Sequence, residues 1–263
     1  MKSRTKRNQF GAAIALVSLI AATAQVQADQ VKADRLSIQG GSINTTPSLG
    51  GGAGSGTAGK FTFDREALSS GVEFSGILNS DGGPTGLTGS DDVFYAFCLE
   101  PNETLIDPHT YDVVDLKNAP VSGVSGTMGS ANAEDLKLLF GNVLPDFSAS
   151  ISTQTAIALQ IAVWEIANEG SQAYDVDGGN FVVNDRTTER GIAQGWLANI
   201  MDGTWTTKAQ GLVGLVDTAT GAGQDFVAQV VPIPAAAWLF GSAIVGVAAL
   251  GRRRRKEEEV IAA

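Results

Sequence analysis

Phe61 and Phe63 alternate with Thr62 and Asp64, and Val72-Glu73-Phe74-Ser75-Gly76-Ile77 continues in the same period of two, so both stretches predict strands. After the turn-rich residues 79–90 comes Val93-Phe94-Tyr95-Ala96-Phe97-Cys98-Leu99. Its apolar residues fall on both faces, which predicts a central strand. Residues 110–116 (TYDVVDL) alternate again, and the turn residues between these runs suit antiparallel pairing better than crossover helices. Further on the period changes. Residues 133–140 (AEDLKLLF) predict a short helix with acids in its first turn and Gly141 at its end. The strongest helical pattern runs over residues 153–169 (TQTAIALQIAVWEIANE), starting near Ser152 and stopping at Gly170. A third covers 187–201, with Ile192, Trp196 and Ile200 at four-residue spacing and Gly203 just beyond. Strand-like pieces return at 181–184, 212–216 and 226–231. Strands, a helical insertion and strands again argue for an α+β fold, an antiparallel sandwich or barrel-like sheet with the helices inserted.

The two ends follow other rules. Lys2, Arg4, Lys6 and Arg7 precede an apolar run over 10–24, and Val26-Gln27-Ala28 is a small-x-small cleavage site, which predicts a cleavable signal helix over 1–28. A cut after Ala24 is the alternative, and Lys6-Arg7 is not a twin arginine. At the other end, residues 235–251 form seventeen positions without a charge, a helix of roughly 25 Å and close to a bilayer core. Arg252, Arg253, Arg254, Arg255 and Lys256 follow and would be held on the cytoplasmic side. Pro232 and Pro234 keep that helix from extending upstream.

Proline motif, span and basic cluster, in that order, resemble the PEP-CTERM class of bacterial sorting signals. Val231-Pro232-Ile233-Pro234-Ala235 is closest to its VPLPA-type variant. The resemblance covers residues 232–256, with 257–263 as a cytoplasmic tail. It implies recognition by a membrane-embedded exosortase, removal of the tail, and export to the cell surface or matrix of a Gram-negative bacterium. An ordinary membrane anchor is the alternative, though it does not require the proline pair.

Without its two targeting ends the chain carries nine Lys+Arg against 25 Asp+Glu, a net charge of −16. Such a chain repels phosphate backbones, so nucleic acid is excluded as a partner. Residues 29–59 are rich in Gly, Ser and Thr and read as a flexible leader before an exported domain over 60–231. The glycine run at 50–56 lacks the Gly-Lys-Ser/Thr of a phosphate cradle.

Candidate chemistry starts from Cys98, the only cysteine, which no internal disulfide can use. Gln160 lies in the middle of an apolar helix stripe with Ala156, Ile157, Val163, Trp164 and Ala167. Buried unpaired, its carboxamide would cost roughly 1–3 kcal/mol, so it needs a partner. A backbone carbonyl at the end of the sheet would serve. So would the Cys98 thiol, whose attack on the carboxamide with loss of ammonia gives a thioester.

Phe97-Cys98-Leu99-Glu100 and, sixty-two residues on, Leu159-Gln160-Ile161-Ala162-Val163-Trp164 resemble the two halves of the Cys-Gln thioester domain of bacterial surface proteins. The resemblance covers about residues 60–202. It implies Cys98 and Gln160 as the bonded pair, Trp164 as a wall of the site, and attachment to a surface nucleophile or exopolysaccharide without turnover. Gln154 is the weaker candidate, since no Trp stands at its fourth place.

Against this stands an exported hydrolase, or a carbohydrate-binding module with a merely structural Cys98. His109 is the sole histidine and the minimum partner for a cysteine hydrolase. Glu165 and Glu169 are an acidic pair on one helix and read as a solvated face. Trp164, Trp196 and Trp205 would be the sugar platform, although helix-spaced aromatics more often pack inside. One Cys and one His do not make a structural zinc site. Residues 175–180 (DVDGGN) are part of a calcium loop without its bidentate Glu, the twelfth place being Arg186. No cofactor is expected, and a non-enzymatic role is the better reading.

Overall fold

The computed structural model describes residues 30–47, 54–66, 77–78, 93–101, 103–121, 126–169, 172–217 and 223–231. Its strands are β1 (Gln30–Pro47), β2 (Gly54–Glu66), β3 (Ile77–Leu78), β4 (Val93–Cys98), β5 (His109–Asp115), β6 (Phe181–Val183), β7 (Leu212–Val216) and β8 (Phe226–Val231). Three helices, α1 (Gly129–Val143), α2 (Thr153–Asn168) and α3 (Thr187–Met201), fall between β5 and β7, together with β6. This is an α+β fold. Every pairing among the described strands is antiparallel, and β1, β2, β4, β8, β7 and β5 pair in that order, with β5 returning to β1, so the sheet closes into a ring. Closure leaves these six strands without a free edge along the paired stretch.

Within the stretch expected to be a flexible leader, residues 30–47 and 54–59 are strand instead. β1 and β2 form a long hairpin in register from Lys32↔Glu66 to Thr45↔Gly54. Its lower part pairs with β5 and β4, while its far end takes β6 as a third strand through Thr45↔Val183. Gly, Ser and Thr conceal the strand because small residues carry little hydrophobic pattern, yet the backbones need them. A Cβ at Gly40 would sit 2.0 Å from the Ala58 carbonyl oxygen across the hairpin. A bulge between Arg35 and Ser37 leaves Leu36 facing solvent.

Aromatic side chains fill the ring. Phe61, Phe63, Phe94, Tyr111 and Phe226 are buried and in ring contact with one another. On the other face of β4, Phe97 packs on Phe140 of α1 and on Phe147. α2 is the central helix. It is buried almost all round, packs on β1, β2, β4 and β6, and is covered by α1 and α3. Ser152 caps it by accepting from the Thr155 N–H at 3.0 Å.

The expected signal helix and C-terminal span lie outside the described residues, as do Pro232, Ile233, Pro234 and Ala235 of the sorting motif. Val231 ends β8, paired with Ile77. Among the described residues no helix is long and apolar enough to cross a membrane.

Candidate functional site

Cys98 is the last residue of β4, where that strand loses one neighbour. On one side it still pairs with β8 through Cys98↔Phe226, and the Leu99 N–H donates to the Asp225 carbonyl at 2.9 Å. On the other side the register with β2 ends at Phe61↔Ala96. The Cys98 N–H and C=O face that side with no strand to receive them, and buried backbone groups must be paired.

Gln160 fills the place of the missing strand. Its Oε1 accepts from the Cys98 N–H at 2.9 Å, and its Nε2 donates to the Cys98 carbonyl at 2.7 Å. Only one orientation of the amide satisfies both, since the flipped one would set donor against donor. Both residues are fully buried. The carboxamide carbon therefore lies opposite Cα of Cys98, and the structure brings together the two residues that the sequence singles out. Trp164 and Asn168 continue the same helix face at four-residue spacing. Asn168 Nδ2 donates to the Trp164 carbonyl at 2.8 Å and approaches the Leu99 carbonyl at 3.5 Å.

The Cys98 Sγ–H donates to the Glu100 carbonyl at 3.1 Å. Burial pushes the thiol well above its ordinary range, and the nearby Glu100 and Asp225 carboxyls push in the same direction. The Trp164 indole N–H leans towards the sulfur and opposes this rise. It falls short of hydrogen-bond geometry, so Nε1 is buried without a partner. The thiol is neutral at physiological pH and is not a free nucleophile in waiting.

Beside it lies an acidic layer that sequence reasoning missed. Glu100 is 3 % exposed and its carboxyl is pushed up to about 9, first by burial and then by Glu103 and Asp225. Asp225 is pushed up to about 7, again by burial first. Gln224 Nε2 bridges the Glu100 and Glu103 carbonyls at 3.2 and 3.4 Å. The only signal for Glu100 in the sequence is its place two residues after Cys98. A cleft of about 330 Å3 opens outward from this layer, lined by Trp164, Phe61, Pro101, Glu103, Gln224 and Arg35 among others. Trp164 thus lines the cleft and also has its indole N–H near the thiol.

Other candidates land elsewhere. His109 Nε2 lies 3.0 Å from Asp217 Oδ1, and its ring packs edge-on against Tyr111, so its contacts are not with the thiol. Glu165 and Glu169 are not a solvated face. They are 0 % and 5 % exposed and turned against the 172–181 loop. That loop supplies the donors: the Asp175 N–H reaches Glu165 at 2.7 Å, and the Asn180 and Phe181 N–H groups reach Glu169. Burial pushes Glu165 up to about 8, helped by the neighbouring Glu169 and Asp175 charges. The candidate calcium loop is held by these same bonds, with Asp177 paired to Arg190 and Asp175 accepting from the Asp177 N–H. Among the described residues no group of three or more His, Cys, Asp or Glu is arranged to hold a metal ion. Trp164 is 2 % exposed and meets Phe181, while Trp196 and Trp205 are half-buried on the core. The three do not share a surface platform.

No family model, no curated protein and no solved structure matches the chain.

Proposed function

We propose that this is an exported surface or matrix protein that attaches covalently through an internal thioester between Cys98 and Gln160. What supports the reading most is one observation: the carboxamide of Gln160 is docked, dry and in a single orientation, on the residue that bears the only thiol. In the reaction Sγ attacks Cδ of Gln160, the S–Cδ bond forms and the Cδ–Nε2 bond breaks. The thiol proton goes to the nitrogen, which leaves as ammonia. The Cys98 N–H already points at Oε1, where negative charge develops in the attack, and such a preset donor is worth most where water is excluded. Loss of ammonia also removes a buried polar amide. The product is an activated acyl group that an amine or hydroxyl on a neighbouring surface can take, freeing the thiol.

Export, exosortase sorting and the cytoplasmic anchor complete the proposal. They rest on the order of signal, cleavage site, proline motif, span and basic cluster in the sequence.

A second reading has an observation of its own. Gln160 bonds to the backbone of Cys98, while the thiol has its own partner in the Glu100 carbonyl, so the pair also works as a plain strand-edge cap. Methylamine separates the two. With a thioester present, peptide mapping after incubation should find Gln160 converted to its methylamide and Cys98 as a free thiol. Unmodified Gln160 after prolonged incubation supports the cap.

A further inference from the structure

The register of β2 and β4 leaves a vacancy beside Cys98. Ala96 and Cys98 turn their N–H and C=O groups towards β2, since Leu99, next along, bonds to the Asp225 carbonyl on the β8 side. On β2 the partner of Ala96 is Phe61. Backbone direction alternates along a strand, so Gly59, Thr57 and Ser55 turn their groups the same way as Phe61. Continued, the ladder would set Gly59 against Cys98 and Thr57 against Glu100. The Gln160 amide takes the first of these places. The second stays open, because Pro101 has no N–H to extend the ladder and the chain swings to the far side, where Thr104 bridges Gly223. Among the described residues, β2 has no strand partner on this edge over residues 54–60.

Gly56 and Thr57 of that stretch form one wall of the cleft of about 330 Å3, and the 101–105 segment forms the other. Trp164 also lines it, buried and with Nε1 lacking a hydrogen-bond partner. Such an N–H costs about 1–3 kcal/mol while unpaired, and a carbonyl oxygen from outside would satisfy it. Leu36 and Ile106, two of the three large apolar side chains exposed among the described residues, directly follow the lining residues Arg35 and Leu105. Charge at the cleft is one-sided. Arg35, its only cation among the described residues, is held by Asp107, with Nε 3.4 Å from Oδ2, whereas Glu103 in the lining has no cation beside it there.

We propose that this cleft binds an extended, basic peptide segment of a partner protein, which adds as a strand to the open edge of β2 at Ser55 and Thr57. The segment's main chain exchanges hydrogen bonds with those two residues, and one of its carbonyls accepts from the Trp164 indole. A Lys or Arg side chain of the segment faces Glu103, while its apolar residues meet the rim at Leu36 and Ile106. Main-chain pairing is blind to side-chain identity, so affinity comes from the edge and selectivity from charge. The domain's net charge of −16 draws a cationic segment in and repels an acidic one. None of these contacts uses the Cys98 thiol, so the inference does not rest on the thioester reading.

The probe is an acetylated hexapeptide alternating valine and lysine, titrated into the isotope-labelled full chain and followed by NMR at the Thr57 amide and the Trp164 indole N–H. A parallel titration of Cys98→Ala excludes covalent capture. Saturable shifts at both reporters are expected in both chains. The same peptide N-methylated along its pairing edge should bind about 10-fold or more weakly, as should a counterpart with glutamate for lysine. Glu103→Gln should narrow the margin between the lysine and glutamate peptides. No shift at either reporter at millimolar peptide overturns the proposal, and so does an N-methylated peptide that binds as well as its parent. Either result leaves the thioester to be decided by the mass of the chain.

Discussion

Gln160→Leu is expected to lower the unfolding free energy by roughly 2–5 kcal/mol more than Cys98→Ala does. Leucine keeps most of the volume, so the loss is polar: the Cys98 N–H and C=O on the side that β2 has left both lose the partner that Gln160 supplies, in a place sealed from water. Alanine at position 98 keeps both backbone groups and leaves Gln160 bonded to them. Should the thioester be present, both variants lose a cross-link closing a loop of 62 residues, a contribution of about 4 kcal/mol that cancels in the comparison. Denaturant midpoints at unchanged slope measure the difference. Equal midpoints for the two variants would mean that the carboxamide does not hold the edge of β4.

Stability should fall as pH rises, the reverse of an ordinary acidic protein. Glu100, Glu165 and Asp225 are buried and hold their protons up to about 9, about 8 and about 7 when folded, whereas an exposed carboxyl gives its proton up near 4. Between the two values the folded state binds more protons than the unfolded chain. Folding is therefore opposed increasingly from about pH 4 upward, and the loss levels off only above the folded values. The ion-paired Asp115 and Glu134 are shifted down and act in the opposite sense, but both are largely exposed and weigh little. Thermal melting is expected to be highest near pH 5 and to decline by several degrees or more towards pH 9. Glu165→Gln should flatten that decline, because the amide has no proton to lose, while the Asp175 N–H still finds an oxygen there. A melting temperature that rises from pH 5 to pH 9 would contradict the buried neutral carboxyls.

α2 and α3 were legible because their patterns are long and closed by local signals, whereas α1 starts four residues earlier than its pattern and runs through Gly141 to Val143. Ser152 caps α2, Gly203 follows α3, and the apolar spacing between them has one reading. The central strand was legible from its two apolar faces. Cys98 and Gln160 stood out for related reasons, one as the sole thiol and the other as an amide on an apolar stripe. What the sequence concealed depends on contacts distant along the chain. β1 looks like a linker because Gly, Ser and Thr give no alternation, and it becomes a strand only because β2, β5 and β6 all pair with it. Closure of the sheet rests on four pairs between Gln30–Ala33 and His109–Asp112, which no local pattern announces. Glu165 and Glu169 look solvated at four-residue spacing, and the donors that allow their burial come from a loop ten or more residues on. Glu100 likewise shows its character only once Asp225 and Glu103 are seen beside it.

The central claim is a covalent bond between Cys98 and Gln160, and intact mass tests it most directly. The purified chain, its termini defined by sequencing, should weigh about 17 Da less than its sequence, the mass of one ammonia lost to the new acyl bond. Cys98→Ala should restore the full mass, and a thiol reagent under denaturing but non-nucleophilic conditions should find no free thiol in the wild type. A wild-type mass equal to its sequence, with Cys98 titrating as one thiol per chain, would reduce the pair to a strand-edge cap and contradict the account.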